Sequence, residues 1–375
     1  MKYTSRFLLF IVILSYSLLS TAQNNPRNLI LNWKTDTSIH SVPLGEFTAL
    51  MLRDGIPPID TPIFWEKEKA TENLFLHEPV ITVVIDNETR AYPLSILMFH
   101  EVVNDQIGNN YFTVTYCPLC NAAIVFNRNI VINGKPTVLD FGVSGMLRNS
   151  DMVMWDRQTE SWWQQFTGEA IVGELKGTEL PIINSQLLSL EEFIENYPNG
   201  KVLSTETGHE MKYGHNPYTS YDNLDNTQPR LFKGKVDERL PAMERIVNID
   251  VNNKQKIYPL TIIQNAQVIN DVFENKNIVL FYSDKTVSVL DQNDIAQSKK
   301  IGSVTVFSPI IKNKKLEFVK EGEFFIDKQT KSKWNITGKC IEGKFKNQHL
   351  APVIHGNHFA FAWFAFNPDC EIYNQ

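Results

Sequence analysis

Arg90-Ala91-Tyr92-Pro93-Leu94-Ser95-Ile96 returns 166 residues later as Lys256-Ile257-Tyr258-Pro259-Leu260-Thr261-Ile262. The same offset carries Val103-Asn104-Asp105 onto Ile269-Asn270-Asp271 and Tyr116 onto Tyr282. Further along, Asp156-Arg157-Gln158-Thr159 matches Asp327-Lys328-Gln329-Thr330, and Thr167-Gly168 matches Thr337-Gly338. Matches that keep their order and nearly their spacing are the mark of an internal repeat. The sequence therefore predicts two homologous lobes from an internal duplication, residues 78–203 and 242–375, related by a pseudo-twofold. Residues 23–77 read as an extended strap, and the Tyr-, Gly- and Pro-rich residues 204–241 as an inter-lobe loop.

Both copies read as α+β and strand-rich. Residues 80–85 alternate and are β-branched, Asp86-Asn87 is a turn, and residues 89–92 return, which is a hairpin signal. Pro93 suits a first helical turn, and Ile96, Phe99, His100 and Val103 fall at helical spacing, with Asn104-Asp105 as the stop. Residues 111–116 then form a strand. In the second copy residues 278–282 and 286–290 read as strands joined by a tight turn at Ser283-Asp284-Lys285. The aligned Cys117-Pro118-Leu119-Cys120 is thus expected at a strand-to-strand turn. A thioredoxin-type Cys-x-x-Cys lies instead at a helix N-terminus, where the dipole lowers the thiol pKa.

The chain has four cysteines, Cys117, Cys120, Cys340 and Cys370. A repeat acts as an internal control, because a residue kept in both copies is most simply explained by the shared fold. Residues found in only one copy are the better site candidates. His100 faces Ala266, Glu101 faces Gln267, Cys117 faces Ser283 and Cys120 faces Thr286. The first copy also has extra residues between Gly145 and Asp156, read as a loop around Met146-Leu147-Arg148-Asn149-Ser150-Asp151 that brings in Arg148 and is followed by Met152 and Met154.

Three functions follow from this set. In thiol redox chemistry, one of Cys117 and Cys120 attacks, the other resolves, and His100 or Arg148 favours the thiolate; the partner is a disulfide, an oxidant or a small ligand. In metal binding, Cys117, Cys120 and His100 hold copper or zinc, with Met146, Met152 or Met154 as softer ligands and a fourth position still to fill. In the third, the cysteine pair is a local staple in a non-catalytic scaffold whose tyrosine-rich loop grips a partner. Each candidate also has a bland reading. His100 can be a satisfied core histidine, Arg148 can pair with Asp151 or Asp156, and Cys340 and Cys370 can form a bridge or lie buried. Trp155, Trp162 and Trp163 read as core.

His100-Glu101-Val102-Val103-Asn104-Asp105, Thr115-Tyr116-Cys117-Pro118-Leu119-Cys120, Phe141-Gly142-Val143-Ser144-Gly145 and Asp156-Arg157-Gln158-Thr159-Glu160-Ser161-Trp162 together resemble the bacterial and archaeal family called domain of unknown function 3179. Tyr213, Pro217-Tyr218 and Tyr221 fit the same pattern. The resemblance implies a shared fold and brings no activity with it. It also implies relatives with selenocysteine at a thiol position of this motif, a trait that suits a redox nucleophile or a soft-metal ligand better than a structural bridge.

A formal net charge of −6 gives no basic footprint, so no nucleic-acid partner is expected. No nucleophile elbow, Walker loop, dinucleotide fingerprint or His-Glu-x-x-His motif occurs. Lys2 and Arg6 precede an apolar run over residues 7–19, and Ser20-Thr21-Ala22 offers small residues for a signal peptidase. This reads as a signal peptide over residues 1–22, cleaved after Ala22, which leaves a periplasmic or secreted protein with no integral membrane span. Mass spectrometry of exported protein should find Gln23 as the first residue; a retained leader rejects cleavage.

Overall fold

The computed structural model describes residues 33–374, and the leader read over residues 1–22 lies outside them. Strands dominate, and the longer α-helices, such as Leu190–Asn196 and Ala360–Phe366, run only seven residues. No described helix is long and apolar enough to cross a membrane.

Three larger sheets and the two-stranded ribbon Asn129–Ile132/Lys135–Val138 build the N-terminal half. In the first, Ser185–Ser189, Pro79–Ile85, Glu88–Pro93 and Lys201–Leu203 lie side by side, the last parallel to its neighbour, with Phe64–Trp65 at the edge. The second runs Ile182–Ile183, Ala122–Asn127, Asn110–Cys117, Val102–Ile107. The third runs Phe47–Ala49, Phe141–Arg148, Asp151–Asp156, Trp162–Gln164, Glu169–Val172. Most positions of Asn110–Cys117 and Asp151–Asp156 are buried, as expected of strands covered on both faces.

The C-terminal half has the same strand orders. His355–Phe359, Arg245–Val251, Lys254–Pro259 and Glu371–Ile372 form one sheet, again with the last strand parallel. Val268–Phe273, Lys276–Ser283, Ser303–Ser308 and Ala351–Pro352 form another, and Phe318–Glu321, Phe324–Asp327, Lys333–Trp334 and Cys340–Glu342 a third. The polar struts recur as well. Asn104 exchanges two hydrogen bonds with the backbone of Phe141, as Asn270 does with that of Phe318. Buried Asp156 accepts from the Thr159 N–H (2.6 Å) and Trp163 Nε1 (2.8 Å); buried Asp327 accepts from the Thr330 N–H (2.6 Å) and Trp334 Nε1 (3.1 Å).

Three local expectations fail. The helix after Pro93 is only Leu94–Leu97, because Glu101 turns to φ 58° and the chain leaves as the strand Val102–Ile107, which contains Asn104 and Asp105. His100 therefore lies in the turn and not on a helical face. In the C-terminal half Lys276–Ser283 pairs with Ser303–Ser308, so residues 286–290 sit in a long loop and Ser283-Asp284-Lys285 is not a hairpin turn. The extra residues before Asp156 form no loose loop. They lengthen the hairpin of Phe141–Arg148 and Asp151–Asp156, closed by Asn149 and Ser150 at φ 52° and 69°, the two positive values a two-residue type I′ turn requires. All four cysteines are free thiols and all four are buried, so Cys340 and Cys370 form no bridge.

The aspartate struts make a stability test. Removing a buried carboxylate orphans its indole and amide donors, so Asp156→Ala and Asp327→Ala should each lower unfolding free energy by about 3 kcal/mol in urea titrations. A loss under about 1 kcal/mol would show that the strut is dispensable.

Candidate functional site

Cys117 ends its strand and faces Ala122 across the ladder, so the residues between them must reverse the chain. Asn121 does this at φ 50°, its N–H donating to the Pro118 carbonyl at 3.2 Å. The thiol pair thus sits on a hairpin turn, as the sequence suggested. The turn is held from outside: Tyr221 Oη donates to the Leu119 carbonyl (3.0 Å), and the Phe359 N–H from the C-terminal half donates to the Cys120 carbonyl (2.9 Å).

The lengthened hairpin delivers the third member. Asp151 opens its strand opposite Arg148 and turns inward. Its Oδ2 accepts from Gln164 Nε2 (2.5 Å) and the Phe166 N–H (2.9 Å), while Oδ1 is buried with no hydrogen-bond donor. The sulfurs of Cys117 and Cys120 and a carboxylate oxygen of Asp151 lie within 4.8 Å of one another, all three residues buried. Burial pushes the Asp151 carboxyl up to about 7, against the pull of its Gln164 and Phe166 donors. Burial also raises both thiols, Cys120 well above its ordinary value, and the Asp151 charge adds to both shifts.

Glu101 is a fourth acid beside them. Its backbone is fixed by its N–H to Leu97 O (2.7 Å) and by the Tyr116 N–H to its own carbonyl (2.8 Å). Its buried carboxyl is pushed up to about 8, first by desolvation and then by the Asp151 charge. Above the cluster, Arg230 stacks over Tyr218 (5.8 Å) and Tyr221 (5.5 Å), and its carbonyl accepts from Ser150 Oγ at 2.6 Å.

The other expected residues are placed differently. His100 Nδ1 meets the Pro57 carbonyl at 2.7 Å, so that nitrogen carries the proton, and Nε2 accepts from Tyr213 Oη at 2.6 Å. Both ring nitrogens are engaged, and His100 is outside the cluster. Burial lowers its pKa, which favours the neutral ring. Arg148 pairs with neither Asp151 nor Asp156: Nε donates to Glu46 (2.7 Å) and Nη1 to Gln164 Oε1 (3.2 Å), so it reaches Asp151 only through that glutamine. Met146 packs with Phe47 and Trp155, and Met152 and Met154 join the main core. Trp155, Trp162 and Trp163 are buried as expected. The residues that sequence reasoning misses are Asp151, which the sequence offers only as an ion-pair partner for Arg148, and Gln164. The extra segment in the first copy was the available signal for Asp151.

The sequence profile of the family described as "Protein of unknown function (DUF3179)" matches residues 53–370. The chain belongs to this family. The DUF3179 match spans both halves and includes Glu101, Cys117, Cys120, Asp151 and Gln164. No curated protein and no solved structure matches the chain.

The raised carboxyls fix a pH dependence. Folded values above the ordinary 4.5 and 3.8 mean that the fold binds protons the unfolded chain has released. The stability they confer is therefore complete below about pH 4 and is lost as pH rises through 7 to 8. Glu101→Gln removes one ionisation at constant shape, so with no ion added it should be about 2 kcal/mol more stable than wild type at pH 8, and nearly equal at pH 4. Parallel pH profiles from urea unfolding would place the Glu101 carboxyl outside the buried cluster.

Proposed function

We propose that this is an exported metal-binding protein, built from two copies of one unit, whose N-terminal copy holds a single thiophilic transition-metal ion. The observation that carries the reading is the buried meeting of two sulfurs and a carboxylate oxygen within 4.8 Å. Metal–sulfur bonds of about 2.3 Å and a metal–oxygen bond of about 2.1 Å at tetrahedral angles put ligand atoms roughly 3.5–3.8 Å apart, so the three donors need only tighten. A carboxylate beside two thiolates suits zinc better than cuprous copper, which favours soft ligands throughout. Three protein donors leave a fourth position open on the ion, the pattern of reactive rather than purely structural zinc.

Charge supports the same reading. Four buried acids with no ion-pair partner among the described residues are costly unless they stay protonated or a cation joins them. The C-terminal copy supplies its own. Lys320, at the position of Val143 when Phe318 is set on Phe141, donates to Gln267 Oε1 (2.9 Å) and the Tyr282 carbonyl (2.6 Å). Gln267 and Tyr282 are the counterparts of Glu101 and Tyr116. Where one copy has a tethered ammonium and a neutral amide, the other has a glutamate, two thiols and no lysine.

The second reading is dithiol redox chemistry, favoured by the adjacent free thiols. It is weakened by their burial and raised pKa, which disfavour a thiolate able to attack an external disulfide.

Protein purified from the export compartment and reloaded with Zn(II) against a chromophoric chelator should bind one equivalent. Cys117→Ser and Asp151→Asn should each weaken binding at least about tenfold. The double variant Val143→Lys, Glu101→Gln rebuilds the C-terminal arrangement and should abolish binding while still unfolding cooperatively. Zinc binding that survives replacement of both cysteines by serine rejects the metal reading. A Cys117–Cys120 disulfide that cycles with an external dithiol, in protein that takes up no metal, selects the redox reading.

A further inference from the structure

A carboxylate serves a metal only if one oxygen is kept facing it, and the residues that keep Asp151 in that pose lie outside the cluster. We infer that Arg148 and Gln164 are positioning residues for Asp151, joined in a relay that begins at Glu46; this rests on the metal-binding reading above.

The chemistry of the groups sets the direction of every link. Glu46 Oε2 accepts from Arg148 Nε at 2.7 Å, which holds the guanidinium across the strand. A guanidinium can only donate. Arg148 Nη1, 3.2 Å from Gln164, therefore requires the carbonyl end of that amide. The NH2 end must then point the other way, where Nε2 donates to Asp151 Oδ2 at 2.5 Å. With Phe166 N–H on the same oxygen at 2.9 Å, Oδ2 is saturated, and Oδ1 is the oxygen left for the thiol cluster. Gln164 and Asp151 are fully buried, so no solvent competes for these bonds.

Without Arg148 the sense of the amide rests on Asp151 alone, and Gln164 Oε1 loses its donor. A flipped Gln164 would bring its carbonyl oxygen against Oδ2 and turn an attraction into a repulsion. The relay also meets the other half of the chain: the Arg148 guanidinium lies 5.7 Å from the Phe366 ring, and Phe366 stacks on Phe166 at 4.8 Å, the residue whose N–H shares the work on Oδ2. The N-terminal strap, the lengthened hairpin and the helix Ala360–Phe366 thus converge on one carboxylate. The C-terminal copy has no such device, since its hairpin of Phe318–Glu321 and Phe324–Asp327 stops short of the positions that would carry it.

The test uses Co(II) as the probe, because its visible bands report ligand geometry. In the full chain, Arg148→Met should weaken Co(II) binding 10- to 100-fold and shift the bands, as loss of a metal site's outer partner does elsewhere. Arg148→Lys, which can still donate to Gln164 Oε1, should recover most of the affinity. Gln164→Glu sets a carboxylate against Asp151 and should weaken binding at least as much as Arg148→Met. The thermal midpoint of the metal-free proteins checks that each variant folds. Wild-type affinity and an unchanged spectrum in Arg148→Met overturn the relay while leaving the metal site standing. Equal loss in Arg148→Met and Arg148→Lys overturns it too, because a donor would then not suffice. No Co(II) binding by the wild-type chain overturns the metal reading and the relay with it.

Discussion

An acidic group taken out of water needs a proton, a cation or several hydrogen bonds, and this molecule supplies all three in different places. Asp156 and Asp327 are held by backbone, hydroxyl and indole donors. Asp222 is fully buried against Arg245 (3.1 Å) and Lys299 (2.9 Å), and its carboxyl stays below the ordinary range despite desolvation. Around Lys320 the chain brings its own ammonium. At Glu101, Cys117, Cys120 and Asp151, by contrast, four buried acids meet, the Asp151 carboxylate held by Gln164 and Phe166 and the Cys117 thiol by the Ser150 carbonyl (3.8 Å), with no ion pair to any of them among the described residues. These residues are also ones at which the two halves differ in sequence.

The same spot is where the halves interlock. The Phe359 N–H bonds to the Cys120 carbonyl, and Phe366 packs on Phe166 beneath Asp151. In the opposite sense, Glu192 of the N-terminal helix Leu190–Asn196 accepts from Ser303 Oγ (2.7 Å), on the strand that pairs with Lys276–Ser283. Each helix thus covers the neighbouring half's central hairpin. Tyr221, from the segment between the halves, covers the thiol turn on one side and Phe359 of the C-terminal half on the other, so part of the dry environment that raises the thiol and carboxyl pKa values depends on both halves being docked. An N-terminal half folded alone would lose the Phe359 hydrogen bond to that turn.

Sequence patterns revealed this arrangement unevenly, and the reasons are physical. Period-two alternation and the recurring Tyr-Pro-Leu and Asn-Asp motifs report backbone geometry found in both halves, so the hairpin of Pro79–Ile85 and Glu88–Pro93 and the likeness of its C-terminal counterpart were legible. The helix after Pro93 is shorter than its apolar spacing predicts because His100 and Val103 are buried for a different reason: the chain turns at Glu101 and enters the strand Val102–Ile107, most of which is buried. Residues 286–290 alternate like a strand yet find no neighbour to pair along their length, a tertiary fact that local pattern does not carry. The site itself was half legible. Cysteines announce themselves by rarity, whereas Asp151 and Gln164 are ordinary residue types whose meaning lies in where the hairpin aims them. His100 drew attention by type, but its two nitrogens are absorbed by Pro57 and Tyr213.

Charge balance also bears on how an ion would sit. A divalent ion on two thiolates and the Asp151 carboxylate leaves one net negative charge in the cluster. Glu101 need add nothing, since desolvation already favours its neutral form near neutral pH. The remaining charge is answered at a distance by Arg148, one amide away from Asp151 and itself shared with half-exposed Glu46. Placing the guanidinium behind an amide keeps it from competing as an ion-pair partner for Asp151, which direct contact would turn away from the thiols. A redox dithiol would gain most from the opposite design, a cation against sulfur that lowers the thiol pKa. The arrangement observed, burial first and then a carboxylate against the sulfurs, raises the thiol pKa instead, which suits the proposed site, where an ion would replace the protons.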